Sequence, residues 1–155
     1  MLKREIEQHG LALDLVVVSP LDRTLDTYEH AFADVAVDAP VIALEIARET
    51  LGVCTCDRRL PMTSKRAAHP NVDFHLVKDE EDTWWTQDHR ETDAEIEARA
   101  AEFMRYLLEE RPERRIAVVS HSGFIRGSLR ALGHRFYRPE NGEFVPVIIA
   151  RKGSD

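Results

Sequence analysis

Cysteine, long apolar runs and positive net charge are all scarce in this chain of 155 residues. Its only cysteines are Cys54 and Cys56, so a disulfide framework is not expected and a reducing compartment is the default. No apolar stretch approaches the length of about 20 residues that spans a bilayer, and the N-terminus is not typical of a signal peptide. The net charge of −7 disfavours binding to nucleic acid or to an anionic membrane. These absences together predict a cytoplasmic protein.

Several familiar catalytic and metal-binding motifs are also missing. The segment His121-Ser122-Gly123 is not a nucleophile elbow, because Ser120 and Phe124 stand where Gly-x-Ser-x-Gly requires glycine. The seven histidines show no His-Glu-x-x-His spacing. The Cys-Thr-Cys pair has no second ligand pair nearby and is a weak metal signal. We therefore predict no metal site, and no cofactor is indicated.

Strand and helix patterns alternate along the chain. The predicted strands cover residues 14–19, 41–44, 116–120 and 144–150, and the predicted helices cover residues 2–9, 20–32, 64–68, 93–111 and 122–132. Ser19 and Pro20 fit the cap and first position of their helix, and Thr92 with Glu95 forms a capping box. Residues 54–87 are otherwise irregular, which is typical of a functional or mobile loop. The alternation predicts an α/β sandwich with a mainly parallel sheet, in one domain of residues 1–155.

Two apolar strands end in serine and are followed within four residues by a residue that can bind phosphate. Arg23 follows the first of these strands, in the first turn of a helix, and His121 follows the other. A helix N-terminus binds anions, and a guanidinium offers a fork of donors to phosphate oxygens. Because the ends of parallel strands converge on one edge of the sheet, we expect both residues to share a pocket. The alternative for Arg23 is a surface arginine paired with Asp22 or Asp26.

His121 and one of two glutamates are further candidates for chemistry. The histidine could transfer protons or, as imidazolium, stabilise negative charge on a phosphoryl group. The alternative is a hydrogen-bonded structural histidine. Glu49 could be the general acid for a leaving alcohol. Glu45 competes with it, and one of the two could simply pair with Arg48.

Five segments resemble motifs of the histidine phosphatase superfamily, also called phosphoglycerate-mutase-like. Residues 19–27 (Ser-Pro-Leu-x-Arg-Thr-x-x-Thr) resemble its second-arginine motif, and residues 120–124 (Ser-His-Ser-Gly-Phe) resemble its second-histidine motif. Three more segments resemble its central acid region, namely residues 45–52 (Glu-x-x-Arg-Glu-x-x-Gly), 56–59 (Cys-Asp-x-Arg) and 90–93 (Arg-Glu-Thr-Asp). The order along the chain is that of the family, and the resemblance implies a three-layer α/β/α sandwich.

The resemblance also implies roles for individual residues. Arg23 would bind the phosphoryl group, His121 would stabilise it during transfer, and Ser122 would contact the substrate. Glu49 would be the proton donor, with Glu45 as an alternative. The ligand would be phosphate or a phosphorylated small molecule.

One family motif is missing from the sequence. The family opens with an interior strand that ends in Arg-His-Gly, whose histidine is phosphorylated. Gln8-His9-Gly10 ends a predicted helix, and Asp88-His89-Arg90 has the wrong order, so neither supplies this strand. We therefore expect an N-terminally shortened phosphomonoester hydrolase or phosphoryl-transfer enzyme that is inactive as this chain. The alternative is a noncatalytic module that binds a phosphorylated ligand.

Overall fold

The structure is a computed structural model that describes residues 12–32 and 39–150. Within these ranges the strands are β1 (Leu15–Val18), β2 (Val41–Ala43) and β3 (Ile116–Val119). The helices are α1 (Asp22–Ala31), α2 (Met62–Ala68), α3 (Asp93–Glu109) and α4 (Ser122–Ala131), with short 3₁₀ turns at Glu45–Ala47 and Thr55–Asp57. The predicted helix over residues 2–9 lies outside the described residues.

The three strands form a parallel sheet in the order β2-β1-β3. Val17 of β1 pairs with Ile42 on one side and with Val118 on the other. Every side chain of β1 is fully buried, as expected of the central strand of a sheet that is covered on both faces. The carboxyl ends of β1 and β3 therefore lie side by side, where the backbone N–H of Ser19 donates to the carbonyl of Val119 at 3.0 Å.

Helices cover both faces of this sheet and make three layers. On one face Val16 and Val18 pack with apolar side chains of α1 and α2. On the other face Leu15 and Val17 pack with side chains of α3 and α4. This alternation follows from the period of two residues along a strand. The expected α/β/α sandwich is confirmed.

The start of α1 differs from the prediction. Its cap is Leu21, two residues after the predicted cap, and no side chain closes the helix end there. Ser19 is not available as a cap, because its backbone continues the β1–β3 ladder and its hydroxyl contacts His121. The capping box of Thr92 and Glu95 at the start of α3 is confirmed.

The predicted strand over residues 144–150 is wrong, because the structure shows no ladder pairing there. Phe144, Val147 and Ile148 are exposed, and Ile148 is completely so. A β-branched run becomes a strand only beside a partner strand, and Pro146 lacks the N–H that a ladder needs. Among the helices that the structure describes, none has both the length and the apolar character needed to cross a bilayer.

Candidate functional site

Arg23 and His121 contact each other at the shared carboxyl edge of β1 and β3. Arg23 lies in the first turn of α1, and His121 is the residue that caps α4. The Nε–H of Arg23 donates to Nδ1 of His121 at 3.1 Å. The strand ends thus bring the two groups into one place, as their positions in the sequence predict. Arg23 does not pair with Asp22, whose carboxylate binds Lys65 instead.

His121 is a neutral, buried ring in this arrangement. Since Nδ1 accepts a hydrogen bond from Arg23, the ring proton is on Nε2, which donates to Oγ of Ser19 at 2.8 Å. Burial of the ring, and next the positive charge of Arg23, lowers the pKa of His121 to about 3. The imidazolium considered in the sequence analysis is therefore not the form that this arrangement favours at neutral pH.

A single buried carboxylate, Asp57, holds two arginines at the site. One of its oxygens accepts from Nη2 of Arg23 at 2.8 Å, and the other accepts from Nη1 of Arg90, also at 2.8 Å. The carbonyl of Cys56 accepts from Nη1 of Arg23 at 2.8 Å. The 3₁₀ turn at Thr55–Asp57 therefore orients both guanidinium groups.

Both arginines keep N–H groups that no described residue engages. A guanidinium has five N–H bonds, and Arg23 uses three of them, on Nε, Nη1 and Nη2. Arg90 makes its hydrogen bonds to the described residues through Nη1, to Asp57 and to the carbonyls of Thr50 and Gly52. The two side chains are 45% and 40% exposed. An incoming anion can therefore reach free donors on both.

The two candidate glutamates have different surroundings in the structure. Glu45 accepts from Arg48 at 3.0 Å and from Arg59 at 2.6 Å, and both arginine side chains are fully buried. Glu49 points to the start of α4, where the backbone N–H of Gly123 lies 3.4 Å from its Oε2. A Cβ on Gly123 would lie 2.0 Å from Oε1 of Glu49, so glycine is what allows this approach. Glu49, and not Glu45, is the glutamate at the start of α4, the helix that His121 caps.

An open cleft of about 450 Å³ lies at this place. Its lining residues come from the start of α1, the loop after Glu45–Ala47, the turn at Thr55–Asp57, the segment before α3 and the first turns of α4: Arg23, Glu49, Thr50, Cys54, Cys56, Asp57, Arg90, Ser122, Gly123 and Arg126. His121 is buried and is not part of this lining, but it contacts Arg23, which is. Ser122 begins α4 and is exposed at the cleft. Arg126 differs from the other two arginines because none of its guanidinium nitrogens has a hydrogen-bond partner among the described residues, and its Nε is buried without one.

A network of buried ion pairs lies next to the residues that line the cleft. Arg48 donates to both oxygens of Asp82, at 2.8 and 2.6 Å, and both side chains have no exposed surface. Burial alone would raise the pKa of Asp82, but the hydrogen bonds from Arg48 and from the backbone of Arg59 lower it to about 2. Trp85 also anchors this loop, through its Nε1–H and the carbonyl of Cys54 at 2.9 Å. The loop over residues 54–87 is thus tied to the wall of the cleft.

Cys54 and Cys56 form a disulfide, which the sequence analysis did not expect. The crosslink spans only one intervening residue, so the low cysteine count correctly excluded a framework but not a local bridge. Sulfurs bonded to each other are not thiolate ligands, and the adjacent Asp57 already binds two arginines. A second group of potential ligand atoms belongs to Asp26 and Glu29 of α1 and to His69, the residue that follows α2, none of which lines the cleft; there His69 contacts Glu29 at 2.7 Å.

A comparison with protein families identifies the family of this chain. Residues 3–141 match the family model of the histidine phosphatase superfamily, branch 1. The chain belongs to the histidine phosphatase superfamily. Within this superfamily it is similar to a phosphoglycerate mutase-like protein of Arabidopsis thaliana, at 35% identity over 78% of this chain and 54% of the relative. No solved structure gives a significant match.

Further relatives are also described as mutase-like. A second Arabidopsis thaliana protein, phosphoglycerate mutase-like protein 1, is 36% identical over 84% of this chain and 56% of its own length. A phosphomutase-like protein of Candida albicans is 34% identical over 86% of this chain and 42% of its own length. The chain therefore spans about half the length of the curated relatives it matches.

The resemblance implies two histidines at the site, the phosphorylated one and the one at position 121. Among the described residues, no histidine other than His121 contacts Arg23, and none lines the cleft. His89 is exposed, follows no strand, and contacts Glu95 at 3.0 Å, so the segment Asp88-His89-Arg90 does not supply the nucleophile. Gln8-His9-Gly10 lies outside the described residues. Within residues 12–32 and 39–150, His121 is the histidine that contacts Arg23.

Three residues of the site, Asp57, Arg90 and Arg126, were given no role in the sequence analysis. Asp57 and Arg90 lie in segments that resemble the family, but no local signal shows that Asp57 holds Arg23 and Arg90, which are 34 and 33 positions away. Arg126 did leave a signal: it lies four residues after Ser122 on the same helix, and residues with this spacing share a face. The predicted helix over residues 122–132 was enough to place Arg126 above its start.

Proposed function

We propose that the cleft binds the phosphoryl group of a phosphorylated small molecule, as part of a phosphohistidine-type site for phosphomonoester hydrolysis or phosphoryl transfer. The observation that carries this proposal is the contact between Arg23 and His121 at the ends of two neighbouring parallel strands. Free N–H groups on Arg23 and Arg90 and the N-terminus of α4 supply the donors that a phosphate dianion requires.

His121 would change its role when such a dianion binds. A phosphate oxygen beside the ring favours the charged imidazolium, which opposes the effect of burial and of Arg23 on its pKa. An imidazolium has N–H groups at both positions and cannot accept from Arg23. Binding would therefore separate the Nε–H of Arg23 from Nδ1 of His121 and leave both groups free to donate to the phosphate.

Glu49 is the proposed proton donor to the leaving alcohol. It lines the cleft, whereas the carboxylate of Glu45 is taken by two buried arginines. Ser122, at the exposed start of α4, is the proposed further contact to the ligand. These assignments follow from position within the cleft and are open to test by substitution.

We further propose that the 155-residue chain binds its ligand without turning it over. Covalent phosphoryl transfer needs a nucleophile, and among the described histidines none but His121 contacts Arg23. The same observation favours a second candidate function, a noncatalytic module that binds phosphorylated ligands. A cytoplasmic location remains a prediction for either function.

Binding of inorganic phosphate, followed by calorimetry, tests the first part of the proposal. Wild-type protein should bind phosphate, and Arg23→Gln should weaken binding about tenfold or more, the usual effect of losing a charged hydrogen bond. Arg66→Gln is the matched control, because Arg66 is exposed on α2 and does not line the cleft. Equal binding by wild type and Arg23→Gln would contradict the proposal.

Turnover in the presence of added imidazole distinguishes the two candidate functions. With p-nitrophenyl phosphate alone, turnover should not exceed background. If the cleft is a transfer site that lacks only its nucleophile, added imidazole should attack phosphorus, release nitrophenolate, and give a phosphoimidazole that water hydrolyses. This rescue should disappear in His121→Ala. A chain that binds phosphate but shows no rescue is the noncatalytic module, and turnover without imidazole would overturn the account of the missing nucleophile.

A further inference from the structure

Three potential metal ligands from two helices meet away from the cleft. Asp26 and Glu29 lie three positions apart on α1, and His69 is the residue that ends α2. One carboxylate oxygen of each acidic residue and one ring nitrogen of His69 all lie within 4.8 Å of one another. The sequence analysis predicted no metal site, since Glu29 and His69 are 40 positions apart and leave no local spacing.

The imidazole of His69 is buried between carboxylates, with 6% of the side chain exposed. Its Nδ1 contacts Oε1 of Glu29 at 2.7 Å, whereas Nε2 lies 4.0 Å from Oδ1 of Asp22, beyond hydrogen-bond distance. A ring nitrogen that binds a metal has no proton, so with Nδ1 as the ligand the ring proton is on Nε2, toward Asp22. Histidine ligands commonly direct their other N–H toward a carboxylate, which orients the ring.

The charges around His69 favour a cation. Asp22, Asp26 and Glu29 place three carboxylates on α1, and Lys65 pairs with only one of them, Asp22. Like charges three or four positions apart on a helix repel each other and lower its stability. Glu29 also lies in the last turn of α1, where the helix dipole disfavours negative charge. A divalent cation between Asp26 and Glu29 would offset both effects.

We propose that Asp26, Glu29 and His69 form a zinc site that joins α1 to the end of α2. One imidazole nitrogen and two carboxylate oxygens suit Zn²⁺, which binds such ligands at about 2.0–2.2 Å and leaves a fourth position to water. Tetrahedral ligands at these distances lie about 3.4 Å apart. The exposed side chains of Asp26 and Glu29 reach this spacing by rotation. None of the three residues lines the cleft, so the zinc site is independent of the proposed function.

Calorimetry with Zn²⁺ alone tests this site, in a buffer without phosphate and on protein without an affinity tag. The protein is kept oxidised, so that Cys54 and Cys56 stay bonded to each other. Wild-type protein should bind Zn²⁺, and it should bind Mg²⁺ at least about tenfold more weakly, because Mg²⁺ prefers a shell of six oxygens.

Substitutions of the three ligands should weaken zinc binding. Loss of a residue that only orients a ligand typically costs about 10–100-fold in metal affinity. Asp26→Asn and Glu29→Gln should therefore each raise the Kd for Zn²⁺ by about tenfold or more, and His69→Gln by more than either. Both carboxylates are exposed, so these two variants test the site even if His69→Gln does not fold.

His75→Gln is the matched control. Nδ1 of His75 contacts Oδ2 of Asp73 at 2.7 Å, but among the described residues this pair belongs to no group of three ligand atoms. The variant should keep the Kd for Zn²⁺ within about twofold of wild type. At a free Zn²⁺ concentration of about 100 times that Kd, the Tm of wild type and His75→Gln should rise by about 5 °C or more, and Glu29→Gln should show a smaller rise.

Three outcomes would overturn the inference. Absence of Zn²⁺ binding to wild-type protein would show that His69 and Glu29 form only an ion pair. An unchanged Kd in Asp26→Asn or in Glu29→Gln would show that the three residues do not bind one metal. A loss of affinity in His75→Gln as large as in Glu29→Gln would show that Zn²⁺ binds surface histidines without preference. Each outcome is independent of whether the cleft binds phosphate.

Discussion

The Nε–H of Arg23 donates to Nδ1 of His121 across a separation of 98 positions in the sequence. This contact joins the ends of β1 and β3, and it makes the histidine an acceptor. The ring can become charged only if the contact opens, because an imidazolium has no acceptor nitrogen. The protonation state of His121 and the position of Arg23 are thus coupled, and an anion that binds both would change both together.

Acid should destabilise the native chain through His121. Its pKa is lowered from 6.5 to about 3 in the folded protein. Between these two values the unfolded state binds more protons, so the free energy of unfolding falls as the pH falls, by up to about 1.4 kcal/mol per unit. Urea denaturation at pH 6.5 and pH 5.5 measures this slope about one unit or more above the ordinary pKa values of Asp and Glu.

The matched variants isolate the contribution of this one ring. His121→Gln should flatten the slope, because glutamine does not titrate. His134→Gln, which changes an exposed histidine, should keep the wild-type slope. A slope in His121→Gln as steep as in wild type would show that other groups cause the acid sensitivity.

Asp57→Asn should weaken phosphate binding and lower stability together. Asparagine can accept through only one oxygen, so one of the two arginines loses its anchor. Loss of a hydrogen bond between charged groups destabilises a protein by up to about 1.5–3 kcal/mol, and the lower end is expected here because both arginines are partly exposed. Phosphate calorimetry and urea denaturation measure the two effects. Asp26→Asn, an exposed change on α1, should cause neither, and wild-type affinity in Asp57→Asn would contradict the orienting role of Asp57.

Asp82→Ala should be among the more destabilising single substitutions in the loop over residues 54–87. It leaves the fully buried Arg48 without its bidentate partner, and breaking a buried pair in this way costs about 3–5 kcal/mol. Glu45 still contacts Arg48, so the lower end of that range is expected. Thermal and urea unfolding measure the loss. Asp79→Ala in the same loop removes an exposed hydroxyl contact with Thr83 and should change stability little.

Gly127→Ala should overpack the contact between α3 and α4. A Cβ at this position would lie 2.4 Å from Cγ2 of Ile96 and 3.3 Å from its carbonyl oxygen. Overpacking costs about 1–3 kcal/mol, which exceeds the gain of up to about 1 kcal/mol from replacing a helical glycine by alanine. Urea denaturation should therefore show a net loss of stability, whereas a stabilised variant would contradict the tight helix contact. Ser128→Ala at the next position is the control for helix propensity.

Local signals in the sequence predicted the parts of the site that lie next to strand ends. Arg23 and His121 each follow a buried apolar run, and parallel pairing brings such ends together whatever their separation. The choice between Glu45 and Glu49 could not be made locally, because it depends on Arg59, which binds Glu45 from a distant turn. The role of Asp57 was hidden for the same reason. Long-range ion pairs leave no pattern in a single sequence.

The strand prediction was wrong for a segment that has the composition of a strand but no neighbouring strand to pair with. Residues 144–150 have the β-branched residues of a strand, yet they lie exposed with no neighbouring ladder. Residues 116–119 have a similar composition and do form a strand, because β1 pairs with them. The difference lies in tertiary pairing, which β propensity alone does not contain.

The central claim is that Arg23 and His121 bind a common phosphate, and NMR of their side-chain nitrogens tests it most directly. In ¹⁵N-labelled protein, phosphate titration should shift the Nε–H signal of Arg23 and both ring nitrogens of His121 along one binding curve. The ring signals should move from a neutral pattern toward imidazolium. Signals of both residues that stay unchanged at saturating phosphate would contradict the account, as would shifts of Arg23 alone with His121 still neutral.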